Sequence, residues 1–160
     1  MTDALTPALQ ASEARVPQPE ALRLAFAHAC AERVRHLLED EAVVRCLDTL
    51  AAYVQGRASR AALDGAARQA AVLANSHQGS HSLDGVGHAA VSASYAVAHA
   101  LAGRAVQAAD YAAYAAVYGS GGYGAVGDPA SFAPEKAWQL ARLEQVAAAL
   151  VLKGAAPCAR

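Results

Sequence analysis

The stretch from 84 to 118, DGVGHAAVSASYAVAHALAGRAVQAADYAAYAAVY, constrains the fold of this chain more than any other. Alanine has the highest helix propensity of any residue, so the local preference is strongly helical. Side chains this small on most faces let neighbouring helices approach closely all round, which suits a central helix better than a surface one. A single helix from 84 to 118 would be about 50 Å long at 1.5 Å per residue, longer than a domain of this size is wide. Gly103 is therefore the expected break, and the segment reads as a hairpin or bent pair of helices.

The flanking sequence carries helical periodicity throughout. Leu22, Phe26, Ala29/Cys30, Val34 and Leu37 recur at steps of three and four, as do Val43/Val44, Leu47, Leu50/Ala51 and Val54, with Gly56 placed to end that helix. Ser59 is a candidate cap for a helix carrying Leu63, Ala66/Ala67, Ala70 and Leu73. Pro134 suits the first turn of a last helix bearing Trp138, Leu140, Leu143, Ala147, Leu150 and Val151 and ending near Gly154. No stretch alternates with period two. The expected fold is all-α: a single-domain bundle of about six helices over 20–154. Residues 1–19, with three prolines and no apolar period, read as a disordered or loosely docked arm, and 155–160 as a flexible tail. Two segments read as loops, the polar 75–87 (with Asp84 as a cap for the central helix) and the glycine-rich 119–133.

Charge and cysteine content exclude several classes. Thirteen basic and fourteen acidic side chains leave a net charge of −1, and the arginines are scattered rather than gathered into a nucleic-acid footprint. Three cysteines with no CxxC pair form no disulfide framework; Cys30 and Cys46 read as small buried hydrophobes. The N-terminus has no signal-peptide pattern and no run is long enough to span a bilayer, so the expectation is a soluble cytoplasmic protein.

The chemistry-bearing motifs are sparse. Gly119, Gly121 and Gly124 spell GxGxxG, but no strand precedes them and no βαβ unit surrounds them, so they read as a loop rather than a nucleotide site. His77, His81 and His88 could form a metal constellation with Asp84 nearby, since imidazole suits zinc, iron and nickel. Gly79, Gly85 and Gly87 interrupt the helix such a site would need. His88 and His99 share a helical face about 16 Å apart along the axis, too far to hold one ion; the reading for both is partial burial and hydrogen bonding, with no metal or other cofactor. Ser92, Ser94 and the cysteines lack a nucleophile motif, so no catalytic residue is assigned and the chain does not read as an enzyme. Tyr111, Tyr114 and Tyr118 occupy successive turns of one face, with Tyr123 in the segment beyond. Tyrosine is a frequent core liner whose hydroxyl reaches water and is also enriched at interfaces. The structural role is favoured for Tyr111 and Tyr114, the interface role weighed equally for Tyr118 and Tyr123.

Three stretches in order carry a resemblance: FAHACAERVRHLLED (26–40), GHAAVSASYAVAHA (87–100) and WQLARL (138–143). Together they resemble the immunity proteins of bacterial toxin–immunity systems, specifically the Imm-five-like helical domain, over about 20–150. The long glycine segment 119–127 and Tyr95 depart from that pattern. The resemblance implies a helical, cytoplasmic, non-enzymatic protein that binds and neutralises a cognate toxin. Its matched positions, Gly87, His88, His99, Trp138, Gln139 and Leu140, read as structural. An inhibitor of this kind needs an exposed patch with aromatic or charged anchors; the candidates are Tyr118 and Tyr123, and the acidic corner Glu39, Asp40 and Glu41. The competing readings are a metal-binding helical enzyme using the histidine cluster, and a structural oligomer or interaction module built on the alanine-rich face.

Overall fold

The computed structural model describes residues 3–76 and 86–155. Among the described residues the chain forms seven α-helices and no strand: α1 Leu5–Glu13, α2 Pro19–Arg33, α3 Glu41–Val54, α4 Arg60–Ser76, α5 Val86–Leu101, α6 Ala105–Val126 and α7 Ala133–Ala155. Short 3₁₀ turns, Arg35–Leu37 and Pro129–Phe132, precede α3 and α7. The expected all-α bundle is what forms. No helix among the described residues is long and apolar enough to cross a membrane.

The hairpin of α5 and α6 is the centre. Ala93, Ala96 and Ala100 of α5 and Ala108, Ala109 and Ala115 of α6 have no exposed surface, so the two helices pack along their length through methyl groups. Gly103, at φ +74°, makes the break between them. The Arg104 amide donates to the His99 carbonyl (2.9 Å) and the Gly103 amide to Ala100 (3.1 Å), the paired bonds of a Schellman cap. Gly56 ends α3 in the same way, with Arg57 bonded to Ala52 and Gly56 to Tyr53. Helix starts follow the sequence too: the Asp40 carboxylate accepts from Ala42 N at 2.8 Å and the Ser59 hydroxyl from Ala62 N at 3.1 Å.

Larger side chains come from the helices around the hairpin. α2 packs against both α5 and α6, delivering Leu22, Phe26 and Cys30, all with zero exposure. α3 adds Leu47 and Leu50, α4 Leu63, and α7 Leu143 and Ala147.

Two expectations are corrected. The arm expected over 1–19 is not loose where it is described, from residue 3 on: α1 docks on α7 with Leu5, Leu9 and Ser12 buried, and Val16 beyond it is buried too. Pro7 falls in the first turn, where a missing amide is harmless, and the Asp3 carboxylate accepts from Leu5 N at 3.0 Å. The four-residue step from Leu5 to Leu9 was the available signal. The glycine segment expected as a loop over 119–133 is helical as far as Val126, and only 127–132, including the 3₁₀ turn Pro129–Phe132, connects it to α7. α6 runs on to Val126, broken only at Gly122 (φ 63°, ψ −153°), because Ala113 and Val117 before the break pack with Phe132, against which Ala125 and Val126 also lie. Asp84 and the loop core 77–85, like 156–160, lie outside the described residues.

Candidate interaction surface

The hairpin exposes an aromatic ladder on a face with almost no charge. α5 contains no Asp, Glu, Lys or Arg, and α6 only Asp110, which Lys136 of α7 pairs at 2.9 Å. His88, Tyr95 and His99 lie at helical spacing on α5; Tyr111, Tyr114 and Tyr118 do so on α6. The Gly103 turn brings the two rows together. Tyr95 and Tyr111, each eight residues from Gly103, stack at 5.2 Å between ring centroids. His99 stacks on the same Tyr111 at 5.1 Å. Fifteen residues either side of Gly103, His88 stacks on Tyr118 at 5.5 Å, and Tyr123 closes edge-on against His88 at 5.2 Å and Tyr118 at 6.1 Å. Tyr114 meets Tyr118 at 6.4 Å and Phe132 at 5.1 Å. Aromatic pairs in these geometries gain about 0.5–1.5 kcal/mol beyond area burial, so the ladder is pre-ordered before anything docks.

Exposure sorts the ladder. Tyr123 is 52% exposed and Tyr114 45%; His88 is exposed, while Tyr118, Tyr111, Tyr95 and His99 are half-buried. The partly buried, hydrogen-bonded state expected of His88 is therefore corrected: it is an exposed member of a ring cluster. His99 keeps partial burial, with Arg104 Nη1 3.4 Å from its Nδ1. Tyr95, whose hydroxyl meets Asn75 Oδ1 at 3.1 Å, joins Tyr114 as a surface residue that sequence reasoning did not place here. The signal was present as the steps of seven and four from His88 to Tyr95 to His99, matching the tyrosine row across Gly103.

The other candidate positions divide. Glu39 and Glu41 are exposed, and Asp40 is a helix cap; none of the three forms an ion pair among the described residues. Gly87 is buried within the first turn of α5. Trp138 is half-buried rather than a core filler, with the Arg33 guanidinium 4.4 Å over its ring. Arg33 in turn holds Glu135 through two bonds, 2.7 and 3.1 Å, and so ties α2 to α7. Gln139 is the buried lock: its Nε2 donates to Ala109 O of α6 at 2.8 Å, while its Oε1 has no partner. Leu140 packs at the margin of the core. His77 and His81 lie outside the described residues; among the described residues no group of three or more His, Cys, Asp or Glu is placed to hold a metal ion. Burial pushes the Cys30 thiol up to about 12, which leaves it without nucleophilic character at neutral pH.

Two half-buried histidines tie stability to pH. Desolvation, opposed by Glu32, lowers the pKa of His28; desolvation and then Arg104 lower that of His99. The fold thus favours their neutral forms, and near pH 6 the unfolded chain binds more protons. Stability is therefore full above the ordinary histidine value of about 6.5 and falls as pH drops from there toward the lowered folded values. Urea midpoints at descending pH between neutral and mildly acid check this, with His28→Gln and His99→Gln each expected to flatten the slope. Identical slopes in all three proteins would remove the explanation.

No protein-family model, no curated protein and no solved structure matches this chain.

Proposed function

We propose that this chain is an immunity protein: a cytoplasmic, non-catalytic binder that captures a cognate bacterial toxin and neutralises it by covering a surface the toxin needs. The observation that supports the reading is the nearly uncharged aromatic face of α5 and α6, carried on a hairpin with a methyl-packed centre. Interface cores are depleted in charge and enriched in tyrosine, and the strongest binding contributions come from such anchors. A rigid ladder loses little side-chain freedom on docking, which favours tight capture. The resemblance of 26–40, 87–100 and 138–143 to the immunity domains supplies the biological class.

Co-expression with the product of the neighbouring reading frame tests it. The expected result is a stable complex on a sizing column together with rescue of growth when that product is toxic. A toxic neighbour that forms no complex and is not neutralised would sink the reading.

A further inference from the structure

The acidic turn and the Tyr118–Tyr123 segment are far apart in the chain, yet residues flanking them, Leu37 and Gly119, come together at one end of the bundle. Gly119 lies directly over Leu37: a Cβ built there would come within 3.1 Å of Leu37 Cδ2. An open cleft of about 330 Å³ at this contact is lined by Arg33, His36 and Leu37 and by Ala116, Gly119 and Ser120 of α6. α5 also touches the 3₁₀ turn Arg35–Leu37 that leads into Glu39. A side chain at 119 would crowd the Leu37 methyls and force them to shift by a few tenths of an ångström, so glycine here keeps the approach close.

The charge at this end is one-sided. Arg33 is held by Glu135, and Arg35 by Asp48 (2.7 Å) and Glu32 (3.3 Å). Those cations are already satisfied, whereas Glu39, Asp40 and Glu41 have no ionic partner among the described residues. Arg45, one turn along α3, offsets one of the three charges and leaves the turn net acidic. Across the Gly119–Leu37 contact, the rings of Tyr118 and Tyr123 present faces that attract cations. Those rings and His88 lie 5.2–6.1 Å apart and fill the space among themselves. The cluster therefore cannot enclose a small caged cation; it offers its outer faces.

We propose that the aromatic face and the 38–41 turn form one composite docking surface whose occupant is a basic protein, its Lys and Arg side chains lying over Tyr118 and Tyr123 and pairing with Glu39 and Glu41. This rests on the neutralising role above and names the chemistry of its partner. Acidic complementarity beside an aromatic anchor speeds encounter and fixes orientation, and it weakens with salt.

The test uses two probes. The first is an oligo-arginine peptide, with oligo-glutamate as control, followed through the ring resonances of labelled Tyr and His. Oligo-arginine is expected to shift Tyr118, Tyr123 and His88, with the shifts fading between about 0.05 M and about 0.5 M salt as screening shortens. The double variant Glu39→Gln/Glu41→Gln is expected to weaken binding about tenfold. Both glutamates and Tyr123 are exposed and Asp40 is left in place, so the variants keep the fold, checked by circular dichroism. Shifts confined to other surfaces, or indifferent to the glutamate pair, overturn the proposal. The second probe is the neighbouring-frame product. A complex weakened about tenfold by the glutamate pair and again by Tyr123→Ala supports the surface. A complex that ignores both overturns it while neutralisation stands. Oligo-arginine mapping here, with no complex and no rescue, keeps the surface and removes the neutralising role.

Discussion

Phe26→Ala is expected to lower the free energy of unfolding by about 3–5 kcal/mol, the range for deleting a fully buried phenylalanine. Phe26 is one of only two phenylalanines and has no exposed surface. It sits on α2, which packs against both helices of the central hairpin as well as α3 and α7. Phe26 belongs to the main core cluster, so the cost depends on how far that core can collapse into the space left. Against a typical total of about 5–15 kcal/mol, that loss brings the protein near its unfolding threshold at 25 °C. The check is the urea midpoint with the slope held constant, alongside Phe26→Leu, which keeps most of the volume. A loss below about 1 kcal/mol for the alanine variant would mean that α2 does not wedge the bundle as described.

Ala109→Leu carries the second-largest expected effect, a loss of about 1–3 kcal/mol from overpacking. Ala109 has zero exposure on α6, and its carbonyl accepts the Gln139 amide at 2.8 Å. Three added carbons at this point must push α6 away from its neighbours and stretch that bond. Gln139→Met is the informative partner. It removes an amide whose Oε1 is already unpartnered together with its bond to Ala109 O, so the expected loss is that of one hydrogen bond, about 1 kcal/mol. Thermal melts of the two variants are expected to place Ala109→Leu lower. If Ala109→Leu melts with the parent protein, the methyl-packed centre is looser than its burial implies.

The helical architecture was legible because its causes are local. Alanine content, the three- and four-residue apolar steps, Ser59 as a cap, and Gly56 and Gly103 as terminators act within a turn or two of chain, and each is found doing the expected work. The misreadings came where a distant contact overrode a local tendency. The proline-bearing N-terminus forms a helix because Leu5 and Leu9 find α7, more than a hundred residues away. The glycines after Tyr118 stay largely helical because Gly119 packs on Leu37 and their neighbours pack around Phe132.

The candidate surface divides along the same line. Sequence alone determined that α5 and α6 would be nearly free of charge, that Tyr111, Tyr114 and Tyr118 would share a face, and that Glu39, Asp40 and Glu41 would sit at a helix start. Only the tertiary structure decided that His88, Tyr95 and His99 stack on those tyrosines, and that Leu37, two residues before Glu39, packs against Gly119. Ring stacking and the Gly119–Leu37 contact join residues brought together by the hairpin and by α2. Periodicity places a side chain on a face of its own helix; which helix that face then meets is settled by long-range packing.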